Sequence, residues 1–87
     1  MQPLVSILIP AYSPRFFAQA FGSALAQTWA NVEIVVGDDC PGEEIRVIVA
    51  SRPDPRVRYE RHQPGLGFAG NFTRLFEIAR GEYIKYL

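Results

Sequence analysis

The chain has 87 residues, 48% of them apolar and 13% aromatic, which is enough for one small packed domain and too apolar for a disordered tail. Nine basic and nine acidic side chains cancel, which argues against a general nucleic-acid binder, since such a domain carries a clear basic excess. The single cysteine, Cys40, excludes an internal disulfide and provides no cysteine set for zinc, as fits a reducing cytoplasm.

The first segment, "MQPLVSILIP", has neither the basic region nor the small-residue cleavage site of a signal peptide. No apolar run in the chain approaches the roughly 18 residues that cross a bilayer. Leu4 to Pro10 is instead an almost unbroken apolar, β-branched run, which predicts a central strand covered on both faces. The period then changes. Phe17, Phe21, Ala24, Leu25 and Thr28 recur at helical spacing, with Ser13 as N-cap and Pro14 in the first turn, and predict a helix over 14–28. Val32 to Asp39 predicts a second apolar strand. "PGEEIRVIVASR" predicts a short helix with Glu43 and Glu44 at its positive end and Ile45, Ile48 and Val49 on its inner face. Arg56 to Arg61 alternates arginines with Val57 and Tyr59, the pattern of a polar edge strand. Phe68, Phe72, Leu75, Phe76 and Ala79 mark the face of a third helix, whose aromatics are expected in the core. "GEYIKYL" closes the chain as a fourth strand over 81–87.

The alternation predicts one α/β domain over residues 1–87, with a parallel sheet and helices on both faces. The apolar first and second strands belong inside and the third at an edge, so the expected order is 3-2-1-4. Ligands in such sheets bind outside the carboxyl ends of the strands, here expected near the switch between strands 1 and 4.

"GLGFAG" (65–70) has the G-x-G-x-x-G spacing of dinucleotide-binding loops. Its context does not match. It follows a short polar strand rather than the first buried one, "HQP" intervenes, and no acidic residue falls at the required distance. As ordinary structure, Gly65 serves as a turn residue after Pro64, with Gly67 and Gly70 opening the helix.

Four blocks in order carry a different reading: "VSILIPAYS", "SALAQTWANVEIVVGDDC", "QPGLGFAGN" and "ARGEYIKYL". Together they resemble the family 2 glycosyltransferases over nearly the whole chain, from Val5 to Leu87. The family's usual text is close to "VSVIIPAYN", "S-LAQTY-xxEIIVVDDGS", "N-x-G-x-x-x-A-R-N" and "A-GEYIxFLDxDD". Gln63, Gly70 and Ser13 depart from it, as does "CPGEE" after the aspartates. The resemblance implies the N-terminal, nucleotide-sugar-binding half of a GT-A-type fold. It implies transfer of a sugar, from a UDP-linked or similar donor, to an acceptor hydroxyl. It also implies that the D-x-D carboxylates, which hold a Mg²⁺ or Mn²⁺ ion, and the catalytic base belong to residues after Leu87. This segment alone is then expected to be inactive.

By the same resemblance, Asp39 accepts a hydrogen bond from the N3–H of a uracil or similar ring, a role suited to an acceptor-only carboxylate. Pro10, Ala11 and Tyr12 lie beneath the nucleotide, with the Tyr12 ring available for stacking or simply half-buried. Gly70 and Asn71 lie near the base, although Asn71 also suits the first turn of a helix. Asp38 points to the opposite side of its strand, with ligand binding and loop hydrogen bonding equally open. No metal or catalytic residue is assigned within the segment. Cys40 is expected as a buried thiol and His62 as a surface loop residue. Arg52, Arg56, Arg58 and Arg61 either attract phosphates or keep the edge strand soluble. A non-catalytic reading stays open too: a nucleotide-binding or self-associating domain, pairing through the apolar strand 82–87.

Overall fold

The computed structural model describes residues 3–87. Seven elements alternate: β1 (Val5–Ala11), α1 (Pro14–Leu25), β2 (Val32–Asp38), α2 (Glu44–Ser51), β3 (Val57–Arg61), α3 (Gly67–Ile78) and β4 (Tyr83–Tyr86). The strands form one parallel sheet in the order β3-β2-β1-β4, as the sequence predicts. In register, Ala11 lies beside Asp38, and Asp38 beside Arg61, so β1, β2 and β3 end together where β2 delivers the two aspartates.

Strand alternation sorts the side chains onto two faces. On one, Ile7, Ile9 and Ala11 of β1 meet Val32, Ile34 and Val36 of β2. Phe17, Phe21 and Ala24 of α1 and Ile45 of α2 seal this layer, with Val57 and Tyr59 of β3 at its margin. Phe17 and Phe21, one helical turn apart, stack with ring centroids 5.1 Å apart. Pro14 opens α1 and Ser13 takes the N-cap position, but the Ser13 side chain makes no capping bond. The helix ends at Leu25 rather than Thr28. Ala26 N–H closes back onto Gly22 O, Gln27 N–H bonds Ala24 O, and the Trp29 indole N–H is held 3.2 Å from Pro3 O.

The other face is built differently. Its buried apolar set is Leu8, Val35 and Leu75, flanked by Ile78, Ala79 and Ile84. The helix α3 turns Asn71 and Leu75 inward, leaving Phe68 78% exposed and Phe76 57% exposed. The aromatic stripe therefore faces outward, against expectation, although Phe72 stacks on Tyr86 with centroids 4.4 Å apart. Polar bonds supply what apolar area does not. The buried Glu33 carboxylate accepts from the Ser6 hydroxyl, from Arg80 N–H at 2.6 Å and from the Arg58 guanidinium at 2.7 Å. Arg58 also donates to Ile78 O, and Gly81 N–H donates to the Ser6 hydroxyl. This network fastens the α3–β4 connection to three strands.

Gly37 makes the second attachment possible. The Asn71 side-chain N–H₂ donates to Gly37 O at 2.9 Å, and a Cβ on Gly37 would lie 2.0 Å from Asn71 Oδ1. Only a residue without a side chain lets α3 come this close.

Candidate functional site

A cavity of about 610 Å³ opens where β1 and β2 end beneath the start of α3. Pro10, Ala11 and Tyr12 form one wall, Asp39 and Pro41 another, and Gly65, Gly67, Phe68 and Asn71 the third. Asp39 N–H donates to Ala11 O at 2.8 Å and His62 N–H to Asp38 O at 2.9 Å, which continues the sheet's pairing to the cavity rim. Tyr12 is 69% exposed and Phe68 more so, which sets two aromatic faces at the mouth. Gly67, with φ +79°, turns the chain into α3 through a conformation that favours glycine. A smaller hollow of about 220 Å³ lies between the ends of β1 and β4, lined by Phe16, Phe17 and Leu87 among others. The larger site thus sits over β1 and β2, not at the β1–β4 switch.

The adjacent aspartates have opposite fates. Asp38 is wholly buried on the α1/α2 face, where one oxygen accepts Cys40 N–H at 2.9 Å and the other a short bond from the Tyr59 hydroxyl. Burial, and then this bond to the Asp38 charge, hold the Tyr59 hydroxyl in its protonated form well above the usual range. Asp38 is therefore a loop-closing carboxylate outside the cavity. Asp39 points to the α3 face. Its Oδ1 lies 2.9 Å from His62 Nδ1, and among the described residues no donor reaches Oδ2, which lies beside Gly65.

His62 is not a surface residue. It is 8% exposed, because its ring is wedged between Asp39 and Glu60, whose Oε1 lies 2.9 Å from Nε2. Arg74 of α3 holds Glu60 in turn through bonds of 2.7 and 3.0 Å. Arg74 first, and then His62, keep the Glu60 carboxyl low, at about 2, against the opposing effect of burial.

Of the residues predicted for the site, Pro10, Ala11, Tyr12, Asp39 and Asn71 come together around the cavity; Asp38 and Gly70 do not line it. Asn71 gives one side-chain N–H to Gly37 O, which docks α3 while the residue lines the cavity. Pro41, Gly65, Gly67 and Phe68 also line the site. For Gly65, Gly67 and Phe68 the signal was the glycine segment itself, which fits no dinucleotide loop yet does form a wall, whereas Pro41 follows the aspartates and carried no signal of its own. Cys40 is buried, as expected. Three arginines of the basic cluster are engaged by carboxylates: Arg56 by Asp54, Arg58 by Glu33 and Arg61 by Glu43. They are not a phosphate patch.

Chemically, the cavity has one carboxylate, Asp39, in the wall of a largely apolar slot with aromatic rims. That suits a flat ligand carrying an N–H donor. Among the described residues no group of three His, Cys, Asp or Glu side chains can hold a metal ion, and no helix is long and apolar enough to cross a membrane.

The chain is similar to several known proteins. An uncharacterized glycosyltransferase of Rickettsia typhi is 36% identical over 86 residues, covering 98% of this chain and 26% of that protein. The succinoglycan biosynthesis protein ExoO of Rhizobium meliloti is 38% identical over 86 residues, covering 98% and 25%. A putative colanic acid biosynthesis glycosyl transferase, WcaA of Escherichia coli, is 32% identical over 85 residues, covering 94% and 30%. The chain spans about a quarter of the length of the first of these relatives. The model of glycosyl transferase family 2 matches residues 6–87, from within β1 to the end of β4. The chain belongs to glycosyl transferase family 2.

Proposed function

We propose that the cavity holds the nucleotide of a nucleotide-sugar donor, and that the protein transfers the sugar to an acceptor hydroxyl. The observation that carries this reading is the Asp39 carboxylate in the wall of an aromatic-rimmed slot at the carboxyl ends of β1 and β2, with Oδ1 held by His62 and Oδ2 reached by no donor among the described residues. In this reading Asp39 accepts the N3–H of a uracil or thymine ring. Tyr12 and Phe68 offer stacking faces, and the backbone at Pro10 and Ala11 supports the base and ribose. Asn71 acts by fixing the first turn of α3, and Gly70 leaves the base without a side-chain contact at that position. A Mg²⁺ or Mn²⁺ ion for the diphosphate needs carboxylates outside the described residues. Transfer itself needs an acceptor site and a base beyond this cavity, so the 87-residue segment alone is expected to bind without turning over.

Calorimetric titration of UDP into the full-length protein tests this. A charge-assisted hydrogen bond contributes about 1.5–3 kcal/mol, so Asp39→Ala should weaken binding roughly 10- to 150-fold. Unchanged affinity would remove Asp39 from the site.

A second reading, self-association, is favoured by the open edge of β4, where Tyr83, Tyr86 and Leu87 are exposed. Sedimentation of the 9.8 kDa segment at tens of micromolar should then show a heavier species that Tyr83→Lys reverses. A monomer contradicts that reading.

A further inference from the structure

We infer that His62 is the positioning residue for Asp39: it clamps one carboxylate oxygen so that the other faces the ligand's N–H. The inference rests on the reading of Asp39 given above and adds the residue that makes the carboxylate selective.

A lone aspartate can rotate about its Cβ–Cγ bond and present either oxygen at many angles. Here that freedom is removed. His62 Nδ1 lies 2.9 Å from Oδ1, and both side chains are only 6% exposed, so water does not compete for the bond. The ring cannot swing away, because Nε2 is held 2.9 Å from Glu60 Oε1 and Glu60 is gripped at both oxygens by Arg74. The backbone is fixed as well, through His62 N–H to Asp38 O. A chain of polar contacts thus runs from α3 through β3 to the carboxylate at the end of β2. Its last acceptor is Asp39 Oδ2, which no donor reaches among the described residues and which lies beside Gly65, another residue of the cavity lining. Fixing acceptor geometry in advance makes binding depend on a donor at one place.

Two substitutions separate this role from mere packing. The side-chain nitrogen of asparagine is as far from Cβ as His Nδ1, and that of glutamine as far as His Nε2. His62→Asn therefore keeps the donor to Asp39 and loses Glu60, whereas His62→Gln keeps Glu60 and loses Asp39. The readout is the ratio of affinities for UDP and for UDP methylated at N3, measured on the full-length protein. Wild type should prefer UDP by about tenfold or more, the loss expected for one charge-assisted bond. Asp39→Ala should abolish the preference, His62→Gln should reduce it several-fold, and His62→Asn should retain most of it. If wild type shows no preference, the reading of Asp39 and this inference fall together. If Asp39→Ala loses the preference but His62→Gln keeps it, the inference alone is overturned. Equal loss in the Asn and Gln variants also overturns it, since any disturbance of the loop would then suffice.

Discussion

The two faces of this sheet are held by different forces. The α1/α2 face is closed by a continuous apolar layer in which Phe21, Ile34, Val36 and Ile45 lose all contact with solvent. The α3 face has Leu8, Val35 and Leu75 as its buried apolar centre and otherwise relies on hydrogen bonds from Glu33, Ser6, Arg58 and Asn71. A helix packed flat on apolar side chains leaves no slot. One held at discrete polar points, with its aromatics turned outward, leaves an open end, and the candidate site occupies that end. The same division separates Asp38, consumed in structure on the sealed face, from Asp39 on the open one.

Truncating the apolar centre of each face should separate them most. Phe21→Ala is expected to cost about 3–5 kcal/mol and lower the stability of the whole chain. Leu75→Ala, at about 2–5 kcal/mol, should loosen α3 first, seen as faster amide exchange over 67–78 than over β1 and β2. Uniform exchange in both variants would mean that the faces do not differ in kind. Gly37→Ala comes next. The new Cβ would stand 2.0 Å from Asn71 Oδ1 and 2.9 Å from Leu75 Cδ2, so overpacking of about 1–3 kcal/mol should appear as a lower melting temperature. An unchanged melting temperature would show that α3 moves aside freely.

Acid should reveal the same asymmetry. Burial alone would raise the Glu33 carboxyl, but bonds from Ser6, Arg80 N–H and Arg58 together hold it below the usual 4.5. Glu60, held chiefly by Arg74, lies at about 2. Both carboxyls are lower when folded, so the stability they contribute is present above the ordinary carboxylate range and is lost as pH falls from 4.5 toward 2. Across that window exchange in α3 should rise before exchange in α1. On the other side, Glu43 is lowered by Arg61 and Arg46 at the exposed surface, where solvent screening leaves little stability, and the half-buried Asp54, held at about 2 by Arg56, loads only the carboxyl end of α1, where Arg56 donates to Leu25 O. Exchange rising first in α1 would contradict the assignment.

Much of the fold was legible because it is written in local periods. Apolar runs at β1 and β2 and the arginine-bearing β3 are enough to place the strands in the order 3-2-1-4. Asp39, Pro10, Ala11 and Tyr12, singled out by motif resemblance, do meet at one cavity. What could not be read locally depends on contacts across the chain. The partner of Asp38 is Tyr59, 21 positions away, and a lone histidine after a polar strand carries no sign that two carboxylates will enclose it. The outward turn of α3 was hidden for a related reason. Phe68, Phe72 and Phe76 share the i, i+4 spacing of a core stripe, yet so do Asn71 and Leu75, and the Asn71–Gly37 bond decides which set faces in.

The most direct test of the central claim, that the polar-pinned face carries the ligand site, is hydrogen–deuterium exchange of the full-length protein with and without UDP. Protection is expected to concentrate in residues 10–13, 39–41 and 63–71, the three segments that meet at the cavity. Protection centred on the small hollow near Phe16 and Leu87, or on α1 and α2, would contradict it.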